Sequence, residues 1–183
     1  MIWLSVVAFF VTAISAAFIV RWARDHALAY GQGMPQRFHV GHVPRLGGAA
    51  LMLGISISWF LGYLLWRFGD PGSLRLGGWV LLWIFTLLPS ALGGIAEDLT
   101  QRLSVRYRLL LTGASAVLAL WLLGLNVARI GLAGGDWVLA SAPWVGMLIV
   151  CLAVPGLPHA FNIIDGYNGL AGMVALIVCL ALA

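Results

Sequence analysis

Six long windows without a single charged side chain constrain this chain more than anything else in it: 2–20, 46–66, 76–96, 109–128, 137–164 and 166–183. A hydrocarbon core about 30 Å thick needs roughly 20 residues of α-helix to cross it. Helices are the spanning solution for open chains of this kind, because in lipid every backbone N–H and C=O must be paired within its own segment. Composition agrees. Of 183 residues, 62% are apolar and 9% are charged, against roughly 25% charged in soluble domains. A soluble domain cannot hide that much apolar surface, and disorder needs the opposite balance of low hydrophobicity and high net charge.

The expected fold class is therefore an all-α polytopic membrane protein with six transmembrane helices, residues 1–183 forming one transmembrane domain. The fifth window is longer than one span needs. Pro155 and Pro158, followed by the polar His159 and Asn162, predict that its helix ends near Gly156. The sixth window runs to the last residue, so its helix is read as cut short.

Arginine sets the orientation, since the ten basic residues are all arginines. With the N-terminus outside, the inner side carries Arg21, Arg24, Arg37, Arg45, Arg102, Arg106 and Arg108, and the outer side carries Arg67, Arg75 and Arg129. That asymmetry follows the positive-inside rule. The first segment has no basic residues before it and two arginines just after it, which reads as an anchor rather than a cleaved leader. The sequence pI near 9.7 does not point to nucleic acid, because the arginines are dispersed over loops with no basic stripe. Cys151 and Cys179 fall inside spans, where cysteine behaves as a small hydrophobe.

Chemistry is concentrated in three inner stretches. The first is Met34-Pro-Gln-Arg37-Phe-His39-Val-Gly-His42-Val-Pro44-Arg45-Leu-Gly47-Gly48, which leads into the second helix. Free N–H groups at a helix start, close backbone approach at Gly47 and Gly48, and Arg45 suit a phosphate. A basic juxtamembrane loop ahead of a small-residue helix start accounts for the same residues. The second stretch carries Glu97 and Asp98 at the inner end of the third helix, followed by Arg102, Arg106 and Arg108. Adjacent carboxylates at a helix C-terminus repel each other and oppose the helix dipole. An Asp98–Arg102 pair at four-residue spacing would compensate one of them; Glu97 then needs Arg106, Arg108 or a metal. The third stretch is His159-Ala-Phe-Asn162-Ile-Ile-Asp165-Gly166-Tyr-Asn168-Gly169. Asn162 and Asp165 offer oxygen ligands of the kind Mg²⁺ shares with substrate phosphates. They serve equally as caps for the turn into the sixth helix.

On these residues the chain resembles the polyprenyl-phosphate N-acetylhexosamine-1-phosphate transferase family. His39…Pro44-Arg45-Leu-Gly47-Gly48 is similar to the family's first cytoplasmic motif, Glu97-Asp98 stands where the family has an Asp-Asp pair, and the stretch from Phe161 to Gly169 resembles its Asn-x-x-x-Asp-Gly-x-Asp-Gly motif. Two positions depart from the pattern: Glu97 replaces the first aspartate and Asn168 the last. The resemblance further implies that the chain is the N-terminal part of a longer transferase domain.

It also implies transfer of a sugar-1-phosphate from a UDP-N-acetylhexosamine to undecaprenyl phosphate, at the cytoplasmic face of a bacterial inner membrane, with release of UMP. Such a step starts a cell-envelope polysaccharide such as an O-antigen, an exopolysaccharide or a wall polymer. Under this reading Asp98, helped by Glu97, is catalytic. Asn162 and Asp165 face Mg²⁺, for which Mn²⁺ can substitute. Arg37, His39, Arg45, Gly47 and Gly48 hold the lipid phosphate, and Arg102, Arg106, Gly166, Asn168 and Gly169 complete the substrate contacts. The expected partners are the lipid bilayer, the two substrates and a second copy of the chain in a homodimer. A membrane carrier for an anion, or an inactive truncated relative, remains as the alternative. Against a carrier, no charge lies midway across any span, where its site belongs.

Overall fold

The computed structural model describes residues 2–23, 44, 46–69, 76–164 and 169–182, save the side chain of Ile164. Among these residues helices are the only regular elements: α1 (Ile2–Trp22), α2 (Gly47–Phe68), α3 (Trp79–Thr100), α4 (Val105–Leu123), α5 (Ala133–Ser141), α6 (Pro143–Ile164) and α7 (Leu170–Leu182). Five of them, α1, α2, α3, α4 and α6, are long and apolar enough to cross a membrane, while α7 is apolar but shorter. The helices pack mainly with their sequence neighbours, α1 on α2, α2 on α3 and α3 on α4. From α4 the contacts pass to α6, which carries α5 and α7 at its sides.

What lies between the helices is small, and what lies outside is large. Trp121 is 80% exposed and Phe68 79%, and the exposed side chains include most of the large apolar ones. Such a surface suits lipid or further membrane helices, so association must come from close packing and interhelical hydrogen bonds rather than from water exclusion. The α1–α2 contact shows how. Ala50, Gly54, Ser58 and Gly62 recur every four residues along α2 and are its buried residues. At Gly54 the helices come so close that a Cβ would run into Thr12 and, at 2.7 Å, the Ala8 carbonyl oxygen. One turn further, the Ser58 hydroxyl donates to the Leu4 carbonyl at 2.6 Å.

The same device joins α3 to α4. Thr112, Ser115, Ala116 and Ala119 form the buried face of α4. Pro89 lies within α3 and has no N–H to give its ladder; the next residue, Ser90, turns its N–H to the Ser115 hydroxyl at 3.0 Å. Gly93 lies against Leu111, whose Cδ1 is 2.8 Å from where a Cβ would stand.

Two boundaries differ from the sequence expectation. The fifth window does not end at Gly156: α6 runs through Pro155 and Pro158 to Ile164. An interior proline costs about 3 kcal/mol in an isolated helix, but apolar surroundings leave freed carbonyls few alternatives, and packing holds the helix on course. The window divides at its beginning instead. Ala142, at φ −136° and ψ 76°, separates α5 from α6. Pro143 forces that break, since a residue before proline is driven out of the helical region while proline itself fits the first helical position. The fourth helix, in turn, starts at Val105 and ends at the left-handed Gly124. Arg106 and Arg108 thus belong to its first turn, not to a loop.

Candidate functional site

At one end of the bundle a cavity of about 200 Å³ opens between α3, α4 and α6. Ser90, Gly93, Gly94, Glu97 and Asp98 line it from α3, at the three- and four-residue steps that put side chains on one helical face. From α4 come Arg108 and Thr112, again four apart, and from α6 come Pro158, His159 and Asn162. The second and third chemical stretches of the sequence therefore share one space, although about 60 residues separate them.

The turn between α3 and α4 explains why Arg108 is the arginine that enters. Helix α3 stops at Thr100, and Gln101 takes a left-handed conformation (φ 52°), its N–H donating to the Glu97 carbonyl at 2.7 Å. Arg102 thereby lies just past the end of the helix. Glu97 is met by Arg108, with Oε1 4.0 Å from Nη1 and both side chains 24% exposed. The Thr112 hydroxyl donates to the Arg108 carbonyl at 3.0 Å. Each charge opposes the dipole of its own helix, acid at a C-terminus and base at an N-terminus, but suits the oppositely directed end of its neighbour.

One ion pair does not satisfy the junction. Glu97 Oε2, Gln101 Nε2, Arg108 Nε and His159 Nε2 are all shut off from solvent without a hydrogen-bond partner among the described residues. Leaving such an atom unsatisfied costs about 1–3 kcal/mol. Native proteins hold few, so four at one junction mark a place that calls for a polar ligand. The set is mixed: a carboxylate oxygen that can only accept, a guanidinium N–H that can only donate, and an imidazole nitrogen that can do either.

Of the residues singled out from the sequence, Glu97, Asp98 and Asn162 are brought together here. Arg102 and Arg106 are exposed and do not line the cavity. Gly47 and Gly48 open α2 and Gly169, at φ 80°, precedes α7. Arg37, His39, Arg45, Asp165, Gly166 and Asn168 lie outside the described residues. The structure adds His159 to the site and selects Arg108, one of the partners the sequence offered for Glu97. His159 could have been found from its spacing, three residues before Asn162 on the same helix; which of the candidate arginines meets Glu97 could not, because that depends on where the chain leaves α3.

Among the described residues no cluster of three or more His, Cys, Asp or Glu is placed to hold a metal ion. The donors on the cavity are the Glu97 and Asp98 carboxylates and the Asn162 amide. An all-oxygen set with one or two carboxylates fits Mg²⁺, which usually completes its shell with water and substrate phosphates. The unpartnered Glu97 Oε2 is consistent with that fit.

Residues 79–183, which include the whole cavity wall, match the family model described as glycosyl transferase family 4. The phospho-N-acetylmuramoyl-pentapeptide-transferase of Moorella thermoacetica is 27% identical over 145 residues, covering 75% of this chain and 43% of that relative. The chain thus spans less than half the length of the curated relative it matches. No solved structure matches it.

Proposed function

The chain belongs to glycosyl transferase family 4, and from that premise we propose that its protein moves N-acetylhexosamine-1-phosphate from a UDP-sugar to undecaprenyl phosphate. The reaction takes place at the cytoplasmic face of the bacterial inner membrane and begins a cell-envelope polysaccharide. The observation that carries this reading is the cavity in which Glu97, Asp98, Arg108 and Asn162 meet at a helix end. Supporting the orientation, α1 and α3 both run toward the arginine-rich side, with Arg21 in the last turn of α1 and Arg102, Arg106 and Arg108 beside the end of α3.

In the proposed step an oxygen of the lipid phosphate attacks the β-phosphorus of the donor. A new P–O bond forms to that oxygen, the bond from the β-phosphorus to the bridging oxygen breaks, and UMP leaves with the electron pair. Asp98 orients the attacking phosphate and takes its proton where one is present. A phosphate monoester has a second pKa near 6, so at neutral pH it is mostly dianionic and orientation is the larger part of the task. Arg108 offers fixed positive charge to the phosphates. Asn162 and Asp165, with Glu97, would hold Mg²⁺, which would supply neutralisation of the diphosphate charge. The helix end beside the membrane lets a lipid-borne phosphate reach the cavity without leaving the bilayer.

UMP release from UDP-N-acetylglucosamine, measured on purified protein in detergent with undecaprenyl phosphate, tests the reading. Lipid-dependent UMP release is expected. Transport into sealed vesicles without any UMP would overturn it in favour of a carrier.

A further inference from the structure

The cavity has two chemically different walls, and their division deepens the transferase reading on which this inference rests. On one side stand the Glu97 and Asp98 carboxylates of α3; facing them are Arg108 and Thr112 of α4 and His159 and Asn162 of α6. We propose that Arg108 and His159 together bind a phosphate oxygen of the diphosphate, Arg108 through Nε–H and His159 through Nε2. Both atoms are closed to solvent and lack a hydrogen-bond partner among the described residues.

The donor inventory narrows the ligand. Arginine Nε–H can only donate, and an imidazole with its proton on Nε2 donates as well. Their shared complement is an acceptor rich in lone pairs, and guanidinium groups favour phosphate oxygens in this role. Glu97 Oε1 faces the Nη1 end of the guanidinium, 4.0 Å away, which leaves the Nε edge for a ligand. Because Glu97 Oε2 is an unpartnered acceptor on the opposite wall, the ligand must also bring a cation or a donor. A metal-bound diphosphate meets both demands; a lone anion meets one. Size points the same way. A volume of about 200 Å³ is below the roughly 300–1,000 Å³ of sites that enclose a drug-sized ligand. A cavity of this size suits the phosphates better than a whole nucleotide sugar.

The test uses magnesium pyrophosphate as probe, titrated into the purified protein in detergent by calorimetry. H159F, which keeps the ring shape without the nitrogen, should weaken binding about tenfold or more, the scale of a lost hydrogen bond to a charged group. H159Q, whose amide nitrogen reaches near the Nε2 position, should retain most of the affinity. In the transfer assay H159F should raise the KM for the nucleotide sugar and leave that for the lipid phosphate nearly unchanged. Should H159F fail to fold, H159L takes its place in both measurements. Unchanged pyrophosphate binding in the nitrogen-free variant overturns the proposal. So does an equal loss in H159F and H159Q that follows their melting temperatures, since His159 is then a packing residue. If the wild-type protein releases no UMP while pyrophosphate binding still depends on His159, the phosphate wall stands and the transferase reading falls. Normal UMP release by H159F with unchanged KM has the opposite meaning.

Discussion

Glu97 and Arg108 face each other at 4.0 Å across the turn between α3 and α4. Each is placed against the dipole of its own helix and with that of its neighbour. The pair thereby joins two helix ends that would otherwise each carry an uncompensated charge at the membrane surface. Removal of one member should hurt more than removal of both. R108M should lower the melting temperature in detergent, with a cost of about 1–3 kcal/mol for the stranded carboxylate, and E97Q in the same background should recover part of it. A double-mutant cycle with no coupling would show that the two side chains are merely near each other.

Stability and activity should separate at Gly54. A Cβ there meets the Ala8 backbone oxygen at 2.7 Å as well as Thr12, so neither helix can yield by a side-chain rotation alone. G54V should force α1 from α2 and lower the melting temperature, at a cost of about 1–3 kcal/mol or more. Because Gly54 does not line the cavity, the KM of whatever protein remains folded should stay near the wild-type value.

Gly93 should behave differently, since it packs α3 on α4 beside the cavity. Its added Cβ would stand 2.8 Å from Leu111 Cδ1, which can move, and 3.3 Å from Leu111 Cβ, which needs to give only a few tenths of an ångström. G93A should therefore be tolerated with a loss of about 1 kcal/mol or less, whereas G93V should cost both stability and turnover. Equal effects of the two substitutions in a melting and UMP-release series would contradict this graded clash.

Asp98 should control chemistry rather than assembly. D98N is expected to abolish UMP release while the protein still inserts into the membrane. Near-normal turnover would remove Asp98 from the reaction.

Metal dependence follows from the concentration of negative charge. Glu97 and Asp98 lie in the last turn of α3, where the helix end adds about half a negative charge. Arg108 offsets only part of this, so a diphosphate is repelled unless a divalent cation accompanies it. Excess EDTA should suppress UDP-sugar binding and turnover, and N162A should raise the Mg²⁺ concentration needed for half-maximal activity. Binding indifferent to EDTA would leave the arginines as the sole counter-charge.

The sequence by itself determined that this chain is a set of membrane helices, because lipid accepts no unpaired backbone and the charge-free windows have the length that rule demands. It also singled out Glu97, Asp98 and Asn162, since polar groups at the edge of an apolar span are costly to keep without a purpose. Their meeting in one cavity was decided by tertiary structure, as was the identity of the arginine beside Glu97. The spacing left Arg106, Arg108 or a metal open for Glu97; the left-handed Gln101 ends α3, and the chain reversal brings Arg108 to it. The expectation that Pro155 and Pro158 end the helix failed, while the structure breaks at Pro143, and one reason covers both. A proline at a helix start sacrifices nothing, so its local effect prevails, while a proline deep in an apolar, packed helix is outweighed by the neighbours that keep the helix straight enough to continue. That continuation past Gly156 is what carries His159 and Asn162 to the carboxylates of α3, a juxtaposition that no local pattern in the chain encodes.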